Sequence, residues 1–152
     1  VPANVRLRPV EPSDLEVLFE HQRDPEAVEM AIVPPRAHEA FMSHWRDVLA
    51  DAKVAARAVL DDGVVAGHVV SWADGDRRMI GYWLGREHWG RGVATAAVRQ
   101  FLAERPERPL YARVAVGNLG SRRVLEKNGF VAIGGPEVAA DGVTEVVLGL
   151  EG

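Results

Sequence analysis

The sequence predicts a mixed α/β (α+β) domain, a mostly antiparallel central sheet flanked by helices. Three observations predict it. Residues 13–50 repeat apolar side chains at helical spacing, and residues 54–84 hold β-rich runs parted by Asp-Gly turns. Residues 79–102, MIGYWLGREHWGRGVATAAVRQFL, then pass from strand through a glycine loop into helix.

In chain order, residues 5–10 alternate weakly beside prolines and suit a strand. Ser13 with Glu16 makes a capping box, and Leu15, Leu18 and Phe19 give the following helix its apolar face. Asp24 before Pro25 marks a second helix start, since proline suits the first helical position. Pro34 and Pro35 break the chain before a third helix, with Phe41, Trp45, Val48 and Leu49 on one face. Strands at 54–60 and 64–72 flank Asp61-Asp62-Gly63, a hairpin signal, and residues 73–76 make the next turn. Three antiparallel strands thus deliver the chain to the glycine loop. Pro106 and Pro109 close the next helical region, and residues 110–116 form another strand. A short helix at 121–128 ends in a left-handed Gly129, with Phe130 folding back on Val124 or Leu125. Residues 131–133 and 143–150 make a final pair around a bend at Asp141-Gly142.

At 152 residues the chain is expected to be one domain, residues 1–152, with a sizeable core. It is 47% hydrophobic and 26% charged, with no apolar run of membrane-spanning length and no secretory pattern, so a cytoplasmic, membrane-free protein is expected. The net charge of −4 argues against nucleic acid. The five histidines show no metal-ligand spacing, because His38-Glu39 is followed by Met42 where a metalloprotease needs histidine, and no metal is expected. There is no cysteine, hence no disulfide framework and no thiol nucleophile.

Function is concentrated in the glycine loop. Val93, Ala97 and Phe101, with Ala94, Val98 and Leu102, form one buried stripe on the helix that Gly90 and Gly92 introduce. First-turn N–H groups lack intrahelical partners, so such a loop suits an anion, phosphate above all. A Walker loop is excluded by Val93 after Gly92, and a dinucleotide fingerprint by Thr95 in place of a third glycine or alanine. A turn that merely joins strand to helix stays open.

A second stretch, Asn-Leu-Gly-Ser-Arg-Arg-Val-Leu-Glu-Lys-Asn-Gly-Phe at 118–130, narrows the choice. With it the chain resembles the GNAT superfamily of acyl-CoA N-acyltransferases, and within it the RimJ/RimL-type ribosomal-protein N-terminal acetyltransferases. The family's pyrophosphate motif is Q/R-x-x-G-x-G/A; residues 89–94 match its last two fixed positions, with WGRG in the form common in that branch. The second motif, Asn-x-x-Ser/Ala followed by Lys-x-Gly-Phe, is matched at Asn118, Ser121, Lys127, Gly129 and Phe130.

The resemblance implies acetyl-CoA as co-substrate. Its diphosphate would lie against Trp89, Gly90, Arg91, Gly92, Val93, Ala94 and Thr95, and its pantetheine against Asn118. Backbone N–H of Trp83 and Leu84 would meet the thioester, and Arg123 the ribose phosphate. Many members carry a catalytic tyrosine where this chain has Leu125; in the RimL-type branch a serine takes the acid role, which implies Ser121. That branch also places a carboxylate between the last two strands, where Glu137 lies, and the family's N-terminal helical pair lines the acceptor pocket. The residues themselves offer bland readings too: Asn118 or Ser121 as a helix cap, Lys127 as a cation at a helix end.

An ammonium must lose a proton before attacking a thioester, so a base is needed. Glu137 is one candidate. His68 is the other, expected on one strand face with Val64, Ala66, Val70 and Trp72, where it could equally be a core histidine. A water chain is the third route. The expected activity is transfer of acetyl from acetyl-CoA to a primary amine, a protein N-terminus or a small amine, directly within a ternary complex. The alternatives are a catalytically silent acyl-CoA-binding regulatory module and a nucleotide-binding domain sharing a glycine turn. A homodimer is left open.

Overall fold

The chain opens with β1 (Val5–Pro9), a 3-10 turn (Pro12–Asp14) and three helices, α1 (Leu15–Arg23), α2 (Pro25–Ala31) and α3 (His38–Ala50). Then come β2 (Ala55–Asp61), β3 (Val64–Asp74), β4 (Arg77–Leu84), α4 (Val93–Glu104), β5 (Leu110–Ala115), α5 (Leu119–Lys127), β6 (Val131–Ala132), β7 (Glu137–Val138) and β8 (Thr144–Leu150). The computed structural model describes residues 4–31, 36–139 and 142–152; the expected break at Pro34-Pro35 and the Asp141 half of the last bend lie outside them.

The strands form one sheet in the order β1-β2-β3-β4-β5-β8-β6, with β7 also on β8. Only β4 and β5 are parallel. On one face α4 buries Val93, Ala97, Val98 and Phe101 beside Leu125 and Phe130; on the other, α1 and α3 pack Leu18, Phe19, Phe41 and Trp45 over Ala56 and Ala58. The alanines leave room for those rings. Phe41 and Trp45 are buried as expected and Val48 partly so, but Leu49 is 37% exposed. Leu49 falls roughly 80° around the helix from Phe41, at the edge of the stripe.

Local rules account for most boundaries. Asp62 and Gly63 both take positive φ (52° and 84°), as the tightest hairpin turn requires. Asp24 caps α2 by accepting from the N–H of Glu26 at 2.9 Å. The capping box differs from the expected Ser13–Glu16 pair. Pro12 starts the turn one step earlier, Asp14 accepts from the N–H of Glu11 at 2.8 Å, and Arg8 holds Asp14 through two bonds of 2.7 and 2.9 Å. That bidentate ion pair fixes Asp14, so Ser13 lies inside the turn instead of capping it. Helix α5 likewise begins at Leu119, not Ser121, and closes as expected: Gly129 has φ 93°, and the N–H of Phe130 reaches the Leu125 carbonyl at 3.1 Å.

Two irregularities shape the centre of the sheet. Val59 pairs with Gly67 but Leu60 pairs with Val65, so Ala66 is an extra residue, a β-bulge. Alternation is therefore broken: Ala66 and Val69 pack towards α4, while Val65 and Val70 pack towards α1 and α3. His68 meets the Trp45 ring edge-on at 4.9 Å, on the face opposite Ala66, which corrects the single shared face expected for it. The bulged Ala66 carbonyl accepts from the N–H of Gly85 at 2.8 Å. At Gly67 a Cβ would lie 2.1 Å from the Trp83 carbonyl oxygen, so only glycine fits.

The second irregularity is a parting of strands. β4 and β5 share one registered pair, Met79 with Tyr111, while β4 is paired along its length to β3 and β5 along its length to β8. Each strand is anchored on its outer side, and the space between them opens towards Leu84.

Gly67→Ala should destabilise the fold by about 1–3 kcal/mol, the usual cost of forcing a methyl into a filled site. Urea unfolding would register this as a lower midpoint at unchanged slope. An unchanged midpoint would mean that β3 and β4 do not run this close.

Candidate active site

Where β4 and β5 part there is a cleft of about 410 Å³, a size suited to a small-molecule ligand. Tyr82, Trp83 and Leu84 line it from β4; Trp89, Gly90 and Gly92 from the loop; Val93, Ala94 and Thr95 from α4; and Asn118, Ser121, Arg123 and Lys127 from the α5 segment. The two motifs, at residues 89–94 and 118–130, thus share one space.

The loop is built for close backbone approach. Gly90 and Gly92 take φ of 75° and 77°, a region that favours glycine, and a Cβ at Gly90 would meet nothing within 4 Å. No side chain caps α4, and its first helical bond runs from the N–H of Ala96 to the Gly92 carbonyl. The amides of residues 93–95 therefore have no partner within the helix. The indole N–H of Trp89 donates to the Leu84 carbonyl at 3.0 Å, tying the loop back to β4.

That bond also orients the strand end. The N–H of Gly85 points to β3 and the carbonyl of Leu84 points away from it, so by strand alternation the N–H of Leu84 faces the opening and that of Trp83 faces β3. The Trp83 side chain lies over α1, its indole N–H donating to the His21 carbonyl at 3.2 Å. Of the two expected backbone donors, Leu84 has the right direction and Trp83 does not.

Asn118 caps α5, its Oδ1 accepting from the N–H of Ser121 at 3.2 Å, and still lines the cleft. Ser121 sits in the helix's first turn and lines the cleft with Tyr82; burial pushes the Tyr82 phenol up, and the nearby Ser121 hydroxyl offsets part of this. Tyr82 was absent from the sequence expectations. It alternates with Ile80 and Leu84 on the α4 side of β4, which was the available signal. Leu125, where the family tyrosine would stand, is buried in the core.

Three expected residues do not line the cleft. The Arg91 guanidinium turns away and bonds Asp61. Glu137 is exposed on β7, opposite Glu145 of β8. His68 lies against Trp45, and burial, with His21 and His44 adding like charge, pushes its imidazole down to about 3. An imidazole so weakly basic is a poor proton acceptor, which counts against the catalytic role expected for His68. Conversely His88, not singled out in the sequence, is buried and lines the cleft, with Nδ1 2.8 Å from the Asp61 carboxylate. Among the described residues no helix is long and apolar enough to cross a membrane, and no group of three or more acidic or histidine side chains could hold a metal.

A parted sheet with an uncapped helix start at one side of the gap and the Asn118 cap and Ser121 hydroxyl at the other fits the acyl-CoA-dependent acyltransferase that the two motifs resemble. The Acetyltransferase (GNAT) domain family matches residues 4–131, and the chain belongs to that family. YdaF of Bacillus subtilis (strain 168), named as a ribosomal N-acetyltransferase, is 33% identical over 147 residues, covering 86% of this chain and 80% of YdaF. The aminoglycoside acetyltransferase AAC(6')-Ib in complex with coenzyme A shares the fold at a TM-score of 0.81 and 23% identity, over 97% of this chain and 95% of that one. RimL, the ribosomal L7/L12 alpha-N-protein acetyltransferase, in complex with coenzyme A, aligns at a TM-score of 0.82 and 17% identity, over 98% and 94%. The chain is an acetyl-CoA-dependent N-acetyltransferase of RimJ/RimL-like type.

The His68 environment has a consequence for stability. Its pKa falls from 6.5 to about 3 on folding, so between those values the unfolded chain binds the extra proton, and stability drops as pH falls from about 6.5 towards 3. His21 and His44 are also lowered and add slope of the same sign. His68→Gln should flatten the curve of urea midpoint against pH between about 6.5 and 4. An unaltered slope would show that His68 is not held neutral.

Proposed function

We propose that residues 1–152 act as one domain that moves acetyl from acetyl-CoA to a primary amine, with both substrates bound at once. The observation that carries this is the opening between β4 and β5, which places the outward N–H of Leu84, the Asn118–Ser121 cap and the free amides of α4 around one cleft.

In this reading the diphosphate rests on the amides of residues 91–95, where the helix dipole and unpartnered N–H groups favour negative charge. The side-chain cations for the ribose phosphate are Arg123, with Lys127 beside it, since Arg91 is engaged by Asp61. The carbonyl of Asn118 is used by the cap, so its amide nitrogen is the end that would donate to the pantetheine. The thioester carbonyl would accept from the N–H of Leu84. As the neutral amine attacks, the new C–N bond forms and the carbonyl oxygen gains negative charge, which that N–H stabilises. Collapse breaks the C–S bond, and the thiolate leaves against the Ser121 hydroxyl, itself supported by Tyr82. The amine's proton passes to water in the open mouth of the cleft, and Glu137, exposed on β7 outside the cleft lining, would be reached only through that water.

A protein N-terminal amine is the acceptor class we favour. The relative sharing a third of its residues is named for a ribosomal substrate, whereas the aminoglycoside enzyme shares only the fold.

Purified protein given acetyl-CoA should release free thiol with N-terminal peptides, and more slowly or not at all with spermidine or kanamycin. Coenzyme A binding without thiol release from any amine would instead return the silent regulatory reading. Ser121→Ala should lower kcat by about tenfold, the scale of one hydrogen bond to a charged group, with the acetyl-CoA KM nearly unchanged. A normal kcat in that variant would remove Ser121 from the leaving-group step.

A further inference from the structure

We propose that Asp61 is a positioning residue for the diphosphate loop: from the end of β2 it holds His88 and Arg91, the residues on either side of Trp89-Gly90, and orders the loop before coenzyme A arrives. This rests on the cofactor reading above.

The anchor is rigid. Asp61 is paired in the sheet on both sides, to Val5 and to Val64, and the next residue donates its N–H to the Asn4 carbonyl at 2.9 Å. Its side chain is 4% exposed, and one oxygen, Oδ2, serves both partners, His88 Nδ1 at 2.8 Å and the Arg91 guanidinium. Hydrogen bonding by His88, then the charge of Arg91, holds the Asp61 carboxyl below the usual carboxylate range against the opposing effect of burial. An ionised carboxylate only accepts, so the Nδ1 of His88 carries the proton of that bond. His88 is 8% exposed and lines the cleft, so the clamp reaches from the hairpin to the wall of the ligand site.

The loop needs such a clamp. With glycines at 90 and 92, its backbone has much conformational freedom to lose, and binding would otherwise carry that entropy cost. Fixing both flanks in the unliganded protein moves the cost into folding, the general route by which preorganisation raises affinity. The arrangement also commits the Arg91 charge to Asp61, leaving the loop to act through its backbone. That explains how an arginine can sit inside an anion loop without facing the anion.

The test compares wild type with Asp61→Asn, His88→Ala and His88→Asn by amide hydrogen exchange without ligand, and by calorimetric titration with coenzyme A and with pantetheine, which lacks the diphosphate. In Asp61→Asn and His88→Ala, the hydrogen-bonded amides at the two ends of the loop, those of Trp89 and Ala96, should exchange at least about tenfold faster while those of β5 and β8 do not change. The Kd for coenzyme A should rise about tenfold or more and that for pantetheine stay as in wild type. His88→Asn, whose amide nitrogen can replace Nδ1, should lie nearer wild type. Unchanged exchange at Trp89 and Ala96 in both disruptive variants, or equal loss of affinity for both ligands, would overturn the clamp. A wild-type protein that binds no coenzyme A would count against the cofactor reading, and the exchange comparison would still decide the role of Asp61.

Discussion

β4 and β5 are joined through one registered pair and then diverge, and the working parts of the molecule are arranged around that divergence. Inside a sheet every N–H and C=O is normally consumed by a neighbour, because an unpaired buried amide carries a desolvation penalty. Here the outer ladders, β3 on one side and β8 on the other, hold the two strands so firmly that the inner ladder can be given up. The bulge at Ala66 and the bare backbone of Gly67 let β3 follow β4 to its last residue, where the Trp83 carbonyl is turned into the ladder and the Leu84 N–H out of it.

Charge is distributed by the same logic. The glycine loop contains an arginine, yet Asp61 neutralises it, so the anion site offers mainly dipoles: amides of a helix start that no side chain caps. Full positive charge enters only from α5, where Arg123 and Lys127 stand on the opposite wall. Dipoles suit a diphosphate that must be held closely by backbone, while mobile cations suit a phosphate at the rim, where solvent screening is stronger. In the proposed reading this division would assign affinity to the loop and long-range attraction to α5.

Features with short-range causes were legible in the sequence. The Asp62-Gly63 turn, the Asp24 cap, the glycine loop and the Gly129 helix end each depend on a few adjacent residues, and each lies where it was expected. What escaped prediction depends on residues far apart. The Ser13–Glu16 box was displaced because Arg8, from another element, grips Asp14. His68 was placed by unbroken alternation, and the bulge that reverses its face is a matter of pairing between β2 and β3. Sheet order was hidden likewise, since β8 inserts between β5 and β6 although it follows both. Tyr82 and His88 were missed for a related reason: their value comes from Ser121 and Asp61, 39 and 27 positions away, and neither pair forms a motif.

The Tyr82–Ser121 pair bears on what the loss of the family tyrosine means. Leu125 and Ser121 are four apart on α5, but Leu125 is sealed into the core that holds Phe130 while Ser121 lines the cleft. The phenol that lines the cleft comes instead from Tyr82 of β4, and in the proposed mechanism it would act through the serine. Burial raises the Tyr82 pKa, which makes it a weaker acid and favours its protonated form. A protonated phenol can polarise a neighbouring hydroxyl without surrendering its own proton. In the proposed mechanism the pH dependence of turnover would then fall mainly to the amine and whatever receives its proton. Since His68 is held neutral by burial on the far face of the sheet, that receiver must lie in the open mouth of the cleft or in the water that fills it.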